Sequence, residues 1–226
     1  MMRIVVFSAL FGGNDVLKSP RIINPKVRYV CMTDRADTVK GWDLHRLQQT
    51  ERPRWLARWA KTQLLWLGPH DVSIWLDASF ELLVDPVAIV AAAAVTNAPI
   101  VGFLHPDRSR IVDEAKAIIR WQLAPAVAVK QQLATYQAAG FDTAATPQRQ
   151  LTTTGVLVRW ASPDVTRFND AWWREIQRHT LRDQLSVDFC AYACQLPVGY
   201  LPGHYRANPF VRYDHTTHRR KRSLAS

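Results

Sequence analysis

The stretch Ser73-Ile74-Trp75-Leu76-Asp77-Ala78-Ser79 sets an apolar run directly against a carboxylate. An apolar run without polar alternation suits a strand covered on both faces, as in a parallel sheet. A carboxylate beside such a strand costs several kcal/mol to bury unless it meets a cation or several donors. Asp77 therefore marks a sheet edge with something to bind. Outward from this stretch the pattern recurs. Residues 3–9, 27–32, 100–104 and 155–159 are further strand candidates, and Thr33-Asp34, His105 and Arg159 follow or close three of them. Ligands of open parallel sheets bind at the carboxyl ends of the strands. Asp34, Asp77, His105 and Arg159, at four strand ends, predict one ligand site.

Between the strands, apolar positions recur at helical spacing. Residues 54–67 place Leu56, Ala60, Leu64 and Leu67 on one face, with Trp59 alongside. Residues 86–95 begin after Asp85 with Pro86, a cap and a first-turn proline. Residues 111–122 and 127–139 are helical and separated at Pro125. Residues 163–179 have Ser162 as a cap, and 183–196 set Leu185, Phe189, Tyr192, Ala193 and Leu196 on one face. Alternating strands and helices predict a single α/β domain, Rossmann-like, with a mostly parallel central sheet flanked by helices. The domain is expected over 1–205, with 206–226 as an irregular basic tail.

A chain of 226 residues fits one domain, and a 48% hydrophobic content excludes a disordered one. No apolar stretch approaches the ~18–20 residues of a membrane-spanning helix. Cys31, Cys190 and Cys194 are too few for a disulfide framework, so a reducing, cytoplasmic setting is expected. Cys190 and Cys194, one helical turn apart, read as helix packing rather than zinc ligands. Met1-Met2-Arg3 before Ile4-Val5-Val6-Phe7 imitates a short signal sequence. It runs into Phe11-Gly12-Gly13-Asn14-Asp15 without a cleavage pattern, and so reads as a buried strand and a glycine turn.

The formal charge is +10, carried by 22 Arg and 7 Lys against 19 acidic residues. Guanidinium groups bind phosphate and carboxylate in a fork, so a phosphate-bearing small molecule, nucleic acid or an anionic membrane are the fitting partners. Arg219-Arg220-Lys221-Arg222 suits nucleic acid or a peripheral membrane contact. Arg54, Arg58 and Lys61 form a stripe at helical spacing, which by itself reads as a solvated face. His105-Pro106-Asp107-Arg108 offers an imidazole and a guanidinium to a ligand, or a proline-fixed loop with Arg108 paired to Asp107 or Glu114. Asp183-Gln184 opens a helix, where Asp fits an N-cap and equally an acid that orients an acceptor hydroxyl. Trp172 and Trp173 adjoin on one helix, so one of them stacks on a sugar or a neighbouring helix.

The ordered set Phe11-Gly12-Gly13-Asn14-Asp15, Ser73-Ile74-Trp75-Leu76-Asp77, Asp85-Pro86, His105-Pro106-Asp107-Arg108, Glu114, Trp172-Trp173-x-Glu175-Ile176 and Arg182-Asp183-Gln184-Leu185-Ser186 resembles a glycosyltransferase-like domain family. That family is known from plant proteins of seed mucilage and pollen turgor regulation and from bacterial relatives. The resemblance spans about residues 7–190 and implies a GT-A-like fold. It also implies transfer of a sugar from a nucleotide-diphosphate donor to a glycan or other hydroxyl acceptor. In GT-A enzymes an Asp-x-Asp at the place of Asp77 holds Mn²⁺ or Mg²⁺ against the donor phosphates, and here Ser79 replaces the second acid. A late histidine often completes that site, for which His215 is the candidate and His204 its competitor. The resemblance further implies Asp34 near the nucleoside, Lys61, Arg108 and Gln184 on the donor, and His105, Arg159 and Asp183 around the sugar and acceptor.

Two other readings stand beside it. Gly12-Gly13 after the first strand, with Asp34 about twenty residues on, partly fits a dinucleotide-binding fingerprint but lacks its third glycine. A nucleic-acid-binding module explains the charge, but no recognised motif accompanies it and no specific nucleic acid is expected.

Overall fold

Ile4–Leu10 (β1) is buried at every position, so the run that imitates a signal sequence is a central strand. The structure, a computed structural model, describes residues 2–12, 15–143 and 150–214. β1 pairs in parallel with β2 (Arg28–Thr33) on one side and β4 (Val72–Leu76) on the other, and β3 (Asp43–Arg46) extends β2. Beyond β4, β7 (Thr152–Trp160) runs antiparallel between β4 and β6 (Ile100–Leu104), and β8 (Val198–His204) lies parallel to β6. The seven-stranded order is β3-β2-β1-β4-β7-β6-β8, with a separate ribbon of β5 (Phe80–Leu82) and β9 (Val211–Tyr213). This is the expected mostly parallel α/β sheet.

Among the described residues six helices cover it: α1 (Pro53–Thr62), α2 (Pro86–Ala94), α3 (Ile111–Arg120), α4 (Ala126–Ala138), α5 (Pro163–Arg178) and α6 (Val187–Ala193). On one face Val6, Ile74, Leu76 and Val158 meet Ile89 and Val90 of α2. On the other Val5, Phe7, Trp75 and Leu157 meet Ala60 of α1 and Phe168, Trp172 and Ile176 of α5. Successive residues of a strand point to opposite faces; with both faces covered, each strand reads as an unbroken apolar run. The expected caps form. Asp85 accepts from the Val87 amide at 2.9 Å and Ser162 from the Val165 amide at 3.2 Å.

Strand direction overturns one expectation. β7 is antiparallel to both neighbours, so its amino end, not its carboxyl end, lies where β4 and β6 finish. Arg159 pairs with Ser73 and Ile100 at the opposite edge, away from the ligand rim. Four strands escape an apolar-run reading: β3 is mostly exposed, Pro202-Gly203 interrupts β8, and β5 and β9 have three residues each. The chain past 205 is also not wholly irregular. Val211 pairs with Leu82, and Phe210 and Val211 are buried in the core. Residues 183–196 divide into a 3-10 turn, Asp183–Leu185, and α6. No helix among the described residues is long and apolar enough to cross a membrane. His215 and the run Arg219-Arg220-Lys221-Arg222 lie outside the described residues.

Candidate active site

Over the edge where β1, β4 and β6 end and β7 begins lies an open cleft of about 1200 Å³. That exceeds the roughly 300–1,000 Å³ of most small-molecule sites. Asp77 follows β4 at its floor, beside Thr154 and Gly155 of β7. Arg54, Trp55 and Arg58 come from α1, and Arg182, Asp183 and Gln184 from the segment after α5. His105, Arg108, Glu114 and Trp121 come from the β6–α3 side, and Tyr205 and Tyr213 from the C-terminal strands. Gly155 has a close-approach role here: a Cβ on it would stand 2.6 Å from the Phe80 ring and 3.5 Å from an Asp77 oxygen.

Beneath the floor is a buried charge network. Lys61 is 0% exposed, and its ammonium lies 2.6 Å from Asp183 Oδ2 and 3.5 Å from Asp77 Oδ1. It also sits over the rings of Trp75 and Trp172, at 5.2 and 5.7 Å from their centroids. Arg58 reaches Asp183 Oδ1 at 3.0 Å and donates to the Leu181 carbonyl at 3.3 Å. Burial works against the Asp183 charge, but Arg58, Lys61 and a hydrogen bond from Thr154 outweigh it and hold the carboxyl well below its usual range. Asp183 does not cap a helix with its side chain; it is spent on these cations. Trp75 Nε1 donates to Asp77 Oδ1 at 2.7 Å, and the Asp77 side chain stays 35% exposed toward the cleft.

The stripe of Arg54, Arg58 and Lys61 is thus a solvated face only at Arg54; Arg58 is partly buried and Lys61 fully buried. Lys61 touches no part of the cleft, so it cannot meet a donor phosphate directly; it neutralises the two carboxylates from below. Arg159 supports it. Fully buried, Arg159 donates to the Lys61 carbonyl at 2.8 Å and to Asn169 Oδ1 at 2.7 Å, with its guanidinium 5.5 Å from the Phe7 ring. That carbonyl belongs to the last turn of α1, where a cation is favourable. Burial lowers the Arg159 pKa to about 9, which leaves it charged at neutral pH.

The described residues around Asp77 do not by themselves assemble a site for a divalent ion. Among the described residues no group of three His, Cys, Asp or Glu side chains converges to hold one. Ser79 supplies no charge, and the place between Asp77 and Asp183 holds the Lys61 ammonium. Like unit charges ~4 Å apart repel by about 4 kcal/mol at an effective dielectric of 20, and a divalent ion doubles that.

His105 lines the cleft with both ring nitrogens engaged. The Asp107 and Arg108 amides point to Nδ1 at 3.0 and 3.1 Å, and the Arg108 guanidinium lies 2.6 Å from Nε2. Burial and then Arg108 push its pKa down to about 4, so the ring is neutral at pH 7. Arg108 also bonds Glu114 at 2.6 Å and covers the Trp121 ring at 5.6 Å. Of the two pairings open to Arg108 the structure selects Glu114; Asp107 pairs with Arg206.

Asp34 does not line the cleft. Both its oxygens accept from the Gly12 amide at 3.2 Å, while Arg35 holds the Gly12 carbonyl. Gly12 has φ +68°, a left-handed turn that suits glycine, and Asp34 serves that turn. The ribose-binding role of the dinucleotide reading loses its acid. Trp173 packs edge-on against Trp55 at 4.8 Å while Trp172 is buried in the core, which resolves the adjoining pair. His215 lies outside the described residues, and His204 is not on the cleft wall. Sequence reasoning missed Thr154, Tyr205 and Tyr213, because only strand pairing brings them here. The signal for Arg58 and Arg182 was their spacing from Lys61 and adjacency to Asp183.

A Rossmann-like sheet with one antiparallel inner strand, and a charged cleft over its strand ends, defines an α/β ligand-binding domain. The sequence model of the TOD1/MUCI70 glycosyltransferase-like domain family matches residues 67–198, more than half of the chain, and the chain belongs to that family. The match takes in Asp77, His105, Arg108, Arg159, Asp183 and Gln184, and begins after Asp34 and Lys61. No curated protein matches the chain. Family membership supports a glycosyltransferase-type function, with binding of a sugar donor and an acceptor in general.

Proposed function

We propose that the protein transfers a sugar from a nucleotide-diphosphate donor to a hydroxyl of a glycan or similar acceptor, in the cleft over Asp77. The observation that carries this reading is the convergence of Asp77, Gln184 and a set of guanidinium groups on one open cleft large enough for such a donor. Asp77 keeps acceptor capacity toward the cleft and takes hydroxyls of the donor. Gln184 adds a neutral donor and acceptor pair beside it. Arg108, held by Glu114, is a fixed cation on the opposite wall. Trp121, half exposed behind it, offers an apolar face to a sugar ring.

Rate enhancement then comes from positioning and from stabilising the charge on the departing diphosphate. Asp183, held strongly ionised by two cations, is too weak a base to take a proton from an acceptor hydroxyl. Its part is to fix Arg58 and Lys61.

A panel of nucleotide sugars, assayed for release of the nucleoside diphosphate and for thermal stabilisation, tests the reading. At least one is expected to stabilise the chain and turn over, and Asp77→Ala is expected to lose both while melting cooperatively. Unchanged donor affinity in that variant, or no response to any nucleotide sugar, would overturn it.

A further inference from the structure

The donor diphosphate asks for positive charge, and the described cleft supplies guanidinium groups. Arg54 and Arg58 lie one turn apart on α1, and both line the cleft with Arg182. Arg58 is anchored through Asp183 and the Leu181 carbonyl, next to Arg182 in sequence. Burial lowers the Arg182 pKa; Asp183 opposes this, and Arg58 and Arg54 are near enough to add to it. The three guanidiniums therefore form one cluster.

Part of its charge is offset from within, where Asp15, Glu51, Asp77, Glu114 and Asp183 also line the cleft and Glu114 acts on Arg182. Asp183 is shared by Arg58 and Lys61, Glu114 is bonded by Arg108, and Lys61 stands against Asp77. The side chains of Arg54 and Arg182 form no ion pair among the described residues. These two guanidinium groups are open to an anion, and a guanidinium fork matches phosphate oxygens.

We propose that this cleft binds the diphosphate of its donor without a metal ion, on Arg54 and Arg182 beside the anchored Arg58, with Lys61 as the internal cation that offsets Asp77 and Asp183. The proposal rests on the donor reading above. It differs from that reading in what it requires: an anion site that works in a chelator. It also explains why Ser79 suffices where a second acid would be needed for a cation.

Calorimetric titration of the full chain with inorganic pyrophosphate in EDTA, repeated with saturating Mg²⁺, tests it. Binding is expected in EDTA, with an affinity within about threefold of that in Mg²⁺. Arg54→Gln/Arg182→Gln is expected to weaken it at least tenfold, and Arg167→Gln, exposed on α5 outside the cleft, to leave it within threefold. Each variant is first checked for a cooperative melt, and should the double variant not fold, Arg54→Gln alone, at an exposed position, carries the comparison with at least a threefold loss. Pyrophosphate binding only with the metal, or binding indifferent to the arginine substitutions, overturns the proposal. Metal-dependent turnover of a nucleotide sugar without pyrophosphate binding in EDTA overturns it and leaves the transferase reading intact. Binding in EDTA with no response to any nucleotide sugar upholds the anion site and strikes the transferase reading.

Discussion

A buried ammonium, two carboxylates and a guanidinium survive together only because each charge meets its opposite within hydrogen-bonding or ion-pair range. Lys61 and Asp183 form the tightest contact of the set, at 2.6 Å, with the Lys61 side chain 0% and the Asp183 side chain 7% exposed. Removing one partner of such a pair leaves an uncompensated charge and costs about 3–5 kcal/mol, whereas removing both costs much less. Lys61→Met is therefore expected to lower the melting temperature by about 10 °C, since 1 kcal/mol is worth about 2–4 °C in a chain of this size. Lys61→Met/Asp183→Asn is expected to recover a substantial part of that loss. Thermal melts of the two single variants and the double variant give the coupling, and strictly additive losses would contradict the paired description. The sign with pH follows from the depressed Asp183 pKa. Its contribution is complete above the ordinary carboxylate range and is lost as the pH falls below it.

At the scale of elements, α6 is tied to the rim of the sheet by Asp188, whose Oδ2 accepts from the Thr152 amide at the start of β7 at 3.0 Å. Burial pushes the Asp188 pKa up to about 6, against the hydrogen bonds from Thr152. A raised carboxyl pKa acts opposite to that of Asp183: the folded state holds the proton more tightly, so its stabilisation is full below about pH 4 and is lost as the pH rises through 6. Asp188→Asn keeps an acceptor for Thr152 without the charge. The variant is expected to gain stability relative to the parent at pH 7.5 and to lose that advantage at pH 4.5. Urea midpoints at the two pH values check this, and an equal difference at both would refute it. The same junction shows what was legible in the sequence. Five of the seven sheet strands announced themselves as apolar runs, because a strand covered on both faces has no polar alternation to hide it. The direction of β7 left no mark, since Val156-Leu157-Val158 reads the same in either sense, and so Arg159 was assigned to the wrong edge. Asp77 was legible because a carboxylate after a buried run needs a reason. The burial of Lys61 was not, because a stripe at helical spacing does not reveal which side meets a neighbour.

Taken as a whole, the molecule walls its candidate cleft with residues from the far end of the described chain. The β5–β9 ribbon pairs Phe80 with Tyr213 and Leu82 with Val211, and Tyr205 and Tyr213 both stand on the cleft wall beside Phe80. Phe210 and Val211 are 8% and 3% exposed within the core that also holds Leu76, Ile89 and Val101. Burying a Phe or Val side chain is worth roughly 1.5–3 kcal/mol, so these two alone contribute about 3–6 kcal/mol of a total that for most domains is only 5–15. Ending the chain after Tyr205 removes them, leaves β5 as an unpaired edge and uncovers Phe80 and Leu82. Such a chain is expected to melt at least 10 °C below the parent or to aggregate on expression, with the melt followed by circular dichroism. Tyr213→Leu, which keeps the ribbon and an apolar side chain, is expected to retain most of the stability while altering donor affinity through the cleft wall. A chain ending at 205 that melts with the parent would mean that the ribbon is an accessory and that the domain ends where its sequence first turns irregular.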